Sequence, residues 1–104
     1  MDTFKLTKAI MIDGKEVNEL PYNFEDMTAR DKLNASKKLK NDGNIISIEE
    51  TDPDYHLYLF AEAVAKADSK IDTADVLRMS AKDAQRAAVK ARSFFYLSSE
   101  DLSE

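Results

Sequence analysis

The chain has 104 residues, of which 43% are hydrophobic and 34% are charged, and its formal net charge is -5 at pH 7. This length suits one domain, which can bury enough surface to fold without a disulfide or a structural metal. The sequence has no cysteine, which excludes disulfides, thiolate catalysis and cysteine-based zinc sites. The negative charge argues against general attraction to nucleic acid or anionic lipid.

Targeting and membrane signals are not apparent in the sequence. The first eight residues contain no uninterrupted apolar run, so a secretory signal is not expected. No segment approaches the roughly 20 apolar residues that span a bilayer. We therefore expect a cytoplasmic protein without a membrane partner.

The N-terminal segment predicts a β-hairpin over residues 3–20. Apolar side chains alternate along its first half: Phe4, Leu6, Ile10 and Ile12. Asp13-Gly14 then supplies two residues that tolerate positive φ, as a type I′ turn requires. The return strand is expected to end before Pro21, which has no amide hydrogen to donate. Because an isolated hairpin is marginally stable in water, its apolar face should pack on helices.

A first helix is predicted over residues 28–41. Thr28 and Asp31 have the spacing of an N-terminal capping box, and Gly43 suits a left-handed C-terminal cap. Much of this helix is basic: Arg30, Lys32, Lys37, Lys38 and Lys40. These cations could contact nucleic acid or an acidic partner, or they could form a solvated face whose late lysines complement the helix dipole. We prefer the solvated face.

Residues 44–51 are predicted to form either a short third strand or a loop with apolar anchors. The following acidic cluster lacks the ligand spacing of a calcium loop, so Asp52 is interpreted as the cap of a second helix over residues 53–67. That helix is apolar on most sides and should lie at the centre of the core or under a partner. Its His56, the single histidine, is expected to be exposed or hydrogen-bonded rather than a metal ligand.

Two more helices are predicted, over residues 73–79 and 81–97, followed by an acidic frayed tail at 98–104. Ser80 and Asp83 have the spacing of a second capping box. Apolar residues at helical spacing then form a stripe that ends in an aromatic cluster. The cluster could be the end of a core helix or a docking patch. Our hypothesis for a partner-binding surface comprises Ala84, Ala87, Ala88, Ala91, Phe94, Phe95 and Leu97.

The sequence offers no pattern that favours catalysis. The two glycines stand apart at positions 14 and 43, so there is no glycine-rich phosphate loop. One histidine cannot supply a paired metal site, and the carboxylates are accounted for by helix starts and solvated faces. We therefore predict no catalytic residues, no cofactor and no metal.

Several short motifs together resemble the tail assembly chaperones of tailed bacteriophages and prophages, in the group related to the Mu-like and P2-like tail chaperones. The front half carries Leu6-Thr7-Lys8 with Ile10, then Asp13-Gly14-Lys15-Glu16-Val17 with Leu20, then Met27-Thr28-Ala29-Arg30-Asp31. The back half carries the "SAKD" helix start at Asp83 and the ending Phe94-Phe95-Tyr96-Leu97. Two features depart from the group: Ala9 stands where many relatives have proline, and the basic run at residues 37–40 is atypical.

The resemblance implies a non-enzymatic role, in which the protein binds the long, aggregation-prone tape measure protein during tail assembly. An alanine-lined helix with an aromatic end suits an apolar helical client. Self-association could protect the same surface when no client is bound. Two alternatives remain: a structural tail or head-tail connector component, and a small nucleic-acid-binding regulator that uses the basic helix.

Overall fold

The chain folds as a hairpin packed on helices, which confirms the predicted α+β fold. A computed structural model describes residues 2–46 and 48–97. Its elements are β1 (Asp2–Ile12), β2 (Lys15–Tyr22), α1 (Ala29–Asn41), α2 (Pro53–Ala67), α3 (Thr73–Val76) and α4 (Ala81–Tyr96). The predicted tail at 98–104 lies outside the described residues. No helix within the described ranges is long and apolar enough to cross a membrane.

The turn between β1 and β2 has the backbone that its sequence predicts. Asp13 has φ of 52° and Gly14 has φ of 79°, so both residues adopt the left-handed region. On the return strand Val17 is half-buried and Leu20 is fully buried. The alternation of the two strands therefore places one apolar face on the helices.

The expected end of the pairing before Pro21 is wrong. Thr3 pairs with Pro21, and Asp2 pairs with Tyr22 at the end of β2. The described residues form a two-stranded sheet, so each strand has one edge without a partner strand. A missing amide hydrogen at that edge removes no hydrogen bond between the strands. The two added residues bring Tyr22 into the core.

The middle of β1 departs from regular pairing, and a carboxylate from α4 fills the irregularity. Lys5 faces Glu19 and Ile10 faces Val17, so four residues of β1 (6–9) lie opposite Asn18 alone. The amides of Thr7 and Lys8 instead donate to Asp83, at 3.0 Å and 3.2 Å from its Oδ2.

Asp83 is completely buried and has further partners on both sides. The Thr7 hydroxyl donates to its Oδ1 at 2.9 Å, and Arg86 Nη1 lies 2.7 Å from the same oxygen. The Arg86 guanidinium also donates to the Lys5 carbonyl and stacks over the Phe4 ring. Burial alone would raise the pKa of Asp83, but the hydrogen bonds from Thr7 and Lys8 lower it to about 2. This cluster joins the start of α4 to the bulged strand.

Side-chain caps fix where α1 and α2 begin. Thr28 and Asp31 form the predicted capping box, with Thr28 N–H donating to Asp31 Oδ2 at 2.8 Å. Asp52 accepts from two amides at the start of α2, as the capping interpretation requires. At the end of α1, Gly43 has φ of 93° and donates to the Lys40 carbonyl, which completes a left-handed cap.

The segment after α1 has no strand at residues 44–46 or 48–51, so the loop alternative holds for these positions. Ile45 and Ile48 are 87% and 62% exposed, and Ile46 packs partly on the core.

Helix α2 lies at the centre of the fold, in contact with α1, α3, α4 and β2. Its Phe60 is fully buried among aromatic rings of the hairpin and the following connection.

Charged residues of α1 and α2 pair between the helices. Lys38 Nζ lies 2.7 Å from Glu62 Oε2, and Lys66 Nζ lies 2.9 Å from Asp31 Oδ2. A third pair joins Lys32 to Glu49 at 2.9 Å. The basic run of α1 is thus partly neutralised, as the solvated-face interpretation allows.

Candidate partner-binding site

The structure divides the predicted partner-binding residues into an internal group and an exposed group. Ala87 and Ala91 are completely buried, Ala88 is 7% exposed, and Ala84 is half-buried against the core. Their helical spacing puts all four on one side of α4, and α4 packs on α2. Alanine permits this close approach of two helices, so Ala87 and Ala91 belong to the core of the monomer and do not offer a free surface.

Enlarging the alanine face should therefore destabilise the monomer. We expect Ala91→Leu to lower the free energy of unfolding by about 1–3 kcal/mol, because Ala91 is completely buried and three more carbon atoms would overpack the core. Urea denaturation followed by circular dichroism measures the change. The control is Ala81→Leu at an exposed position of the same helix, which should stay within about 0.5 kcal/mol of the wild type. Unchanged stability of Ala91→Leu would contradict the internal role of this face.

The aromatic end of α4 remains accessible. Phe94 is 40% exposed and Leu97 is 51% exposed, whereas Phe95 is half-buried. The ring of Phe94 lies 5.2 Å from that of Phe24 and 4.9 Å from that of Phe95, measured between centroids. Phe24 in turn packs on Phe60 in the core. Phe94 thus stands on aromatic rings that reach into the core, an arrangement suited to an anchoring residue.

A pocket of about 210 Å³ lies beside this aromatic end, between α1, α2 and α4. Its apolar walls come from Met27, Leu59, Phe95 and Tyr96. The start of α1 contributes Thr28 and Ala29, and Lys32 and Tyr55 add polar groups to those of Thr28 and Tyr96. Pockets that hold drug-sized molecules are about 300–1,000 Å³, so this one has room for a single large side chain.

The polar groups at the pocket have distinct environments. Lys32 is half-exposed, its Nζ lies 2.9 Å from Glu49 Oε1, and this bond raises the pKa of Lys32. Tyr55 is completely buried, and burial raises its pKa to about 12. Lys32 and Tyr96 are the polar neighbours of the Tyr55 hydroxyl. Both groups are therefore protonated donors at neutral pH.

His56 does not line this pocket, although its ring lies 5.4 Å from that of Tyr96 between centroids. It is 2% exposed, and its Nε2 is 2.8 Å from the Glu49 carbonyl oxygen, so the hydrogen-bonded alternative is correct and the exposed one is wrong. Burial lowers its pKa, which keeps the ring neutral. Within residues 2–46 and 48–97, no three His, Asp or Glu side chains are placed to hold a metal ion.

Sequence reasoning located the aromatic end but missed the pocket and its polar groups. Met27 and Phe24 lie in a connection without hydrophobic periodicity, so no pattern assigns them to a surface. Tyr55 opens a helix that is apolar on most sides, where a tyrosine is indistinguishable from other core residues. The spacing of Lys32 and Tyr55 in sequence gives no sign that they meet.

No protein-family model, curated protein or solved structure matches this chain. Its function must be inferred from the sequence motifs together with the surface at the end of α4.

Proposed function

We propose that this protein is a non-enzymatic phage tail assembly chaperone that binds the tape measure protein during tail morphogenesis. The sequence motifs shared with the Mu-like and P2-like tail chaperones support the family. The observation that supports a binding role is the exposure of Phe94, whose ring packs on Phe24, and of Leu97 at the end of the same helix, because exposed apolar clusters are uncommon on monomers without a partner. We propose that the chaperone acts in the bacterial cytoplasm.

The motif residues have structural roles that suit a binding protein. Asp13 and Gly14 form the turn of the hairpin, and Thr28 and Asp31 cap α1. Asp83 holds α4 against β1. These contacts shape the hairpin, begin α1 and fix the start of α4, and the proposed client would bind at the other end of α4.

Charge substitutions at the aromatic end should abolish client capture. We expect Phe94→Glu and Leu97→Glu each to weaken binding by about tenfold or more, because a carboxylate would have to be desolvated against an apolar client helix. The measurement is co-purification of the tagged chain with the tape measure protein from the same genome, together with the soluble yield of that protein. Circular dichroism checks that the variants fold.

The matched control for this experiment is Val89→Glu. Val89 is 54% exposed on the same helix. It lies five positions from Phe94, so its side chain points to a different side of the helix. This variant should capture the client like the wild type. Equal capture by all variants would contradict the proposed surface. Presence of the chain in purified particles would instead favour a structural tail component, and salt-sensitive DNA binding would favour a regulator.

A further inference from the structure

Five exposed residues lie along one side of α1 and form its outer face: Ala29, Arg30, Leu33, Lys37 and Lys40. With 3.6 residues per turn, they fall within about 100° of the helix circumference and extend over about 17 Å. This face is therefore a narrow ridge that carries both charged and apolar side chains.

The cations of the outer face differ from the other lysines of α1. Lys32 and Lys38 each pair with a carboxylate of a neighbouring element. In the part of the chain that the structure describes, Arg30, Lys37 and Lys40 form no ion pair. A chain with a net charge of -5 thus carries a local patch of positive charge along this ridge.

The apolar part of the outer face adjoins the aromatic end of α4. Leu33 is 53% exposed, and its position three residues after Arg30 and four before Lys37 places it between these cations. Ala29, one turn before Leu33, lines the same pocket as Phe95 of α4. The exposed apolar surface at the end of α4 therefore continues across the pocket onto α1.

We propose that the outer face of α1 binds an acidic amphipathic helix of the partner. Carboxylates on neighbouring turns of that helix pair with Arg30, Lys37 and Lys40. Its apolar side chains lie on Ala29 and Leu33 and reach the aromatic end of α4. An acidic helix supplies both kinds of group, whereas the phosphate backbone of a nucleic acid supplies charge alone. The identity of the partner as the tape measure protein rests on the proposed function, but the chemistry of this face does not.

The outer face can be tested without the client. The probe is a synthetic helical peptide of about five turns built from leucine, alanine and glutamate. The matched probe has lysine in place of every glutamate. Each is titrated into the isotope-labelled protein while backbone amide NMR shifts are recorded. We expect the glutamate peptide to shift amides of residues 29–40 and to bind about tenfold or more tightly than the lysine peptide, because like charges repel.

A triple variant measures the contribution of the cations. Arg30→Gln, Lys37→Gln and Lys40→Gln together should weaken binding of the glutamate peptide about tenfold at low ionic strength, since each exposed ion pair contributes modestly. The difference from the wild type should vanish near 1 M salt, where the Debye length is about 3 Å. Leu33→Ser should weaken binding at both ionic strengths, because it removes apolar contact area.

The matched control removes the same charge from other surfaces. It combines Lys5→Gln, Lys15→Gln and Lys82→Gln, at exposed positions of β1, β2 and α4. This variant should bind the glutamate peptide within about twofold of the wild type, because distant exposed charges are screened. Circular dichroism verifies that each variant is folded.

Equal affinity for the two peptides, equal losses in the two triple variants, or shifts confined to other surfaces would each overturn the proposed face. So would salt-sensitive binding of a DNA duplex to this face without binding of the glutamate peptide. These results would leave client capture by Phe94 and Leu97 intact. Conversely, selective binding of the glutamate peptide by a protein that fails to capture the tape measure protein would support the face and overturn the proposed function.

Discussion

Replacement of Asp83 by alanine is expected to lower the free energy of unfolding by about 3–5 kcal/mol, because several donors would lose a completely buried acceptor at about 1–3 kcal/mol each. The carboxylate accepts from the Thr7 amide and hydroxyl and from the Lys8 amide, and it pairs with Arg86. Alanine leaves these donors unpaired beside the bulge of β1. Urea denaturation at neutral pH measures the loss.

Asp83→Asn distinguishes the charge from the shape of the side chain. It retains an acceptor of the same size, so it should fold and lose less stability than alanine. The matched control is Asp54→Asn, at an exposed aspartate in the first turn of α2, which should change stability by about 0.5 kcal/mol or less. Comparable losses at Asp54 and Asp83 would contradict the role of the buried cluster.

The same cluster predicts a specific dependence of stability on pH. The pKa of Asp83 is lowered from 3.8 to about 2 on folding, so the unfolded chain binds more protons in this range. The stabilisation by the ionised carboxylate is complete above about pH 4 and is lost as the pH falls towards about 2. Asp83→Asn should lack this part of the acid sensitivity. A variant with the wild-type acid profile would show that other carboxylates govern acid unfolding.

Phe60→Ala should produce a loss of similar size, about 3–5 kcal/mol, because it opens a cavity at the centre of the core. The Phe60 ring packs on Phe4 at 5.0 Å and on Tyr22 at 5.2 Å between centroids. It also supports Phe24, which supports Phe94 at the surface. We therefore expect weaker client capture as well as lower stability.

Thermal and urea unfolding measure the effect of Phe60→Ala, and the co-purification experiment follows its effect on capture. Val89→Ala is the control, since it removes an exposed apolar side chain and should change stability by about 0.5 kcal/mol or less. A loss of stability without any change in client capture would show that the aromatic rings under Phe94 do not maintain the binding surface.

Features that depend on a few neighbouring residues could be predicted from the sequence. The Asp13-Gly14 turn, the Thr28 capping box and the Asp52 cap each use contacts within a few positions of the chain. The central position of α2 also follows from its own composition. For these elements the tertiary structure agrees with the local preference.

Features that depend on distant residues could not be predicted. The Ser80 hydroxyl accepts from the Asp83 amide, but the Asp83 carboxylate does not complete a capping box and turns to β1 instead. Likewise, Glu62 and Lys66 have the i,i+4 spacing of an ion pair within one helix, but each of them pairs with a residue of α1 instead. Helical spacing shows that the alanines of α4 share a face, but it does not show whether α2 or a partner covers that face.

The irregular hairpin also limits how two copies of this protein can associate. The mid-strand amides of Thr7 and Lys8 are occupied by Asp83, and Pro21 has no amide hydrogen near the end of β2. Neither outer strand therefore presents a full row of donors to a strand from another molecule. Edge-to-edge sheet extension is disfavoured by this arrangement, which directs any dimerisation to the helical surfaces.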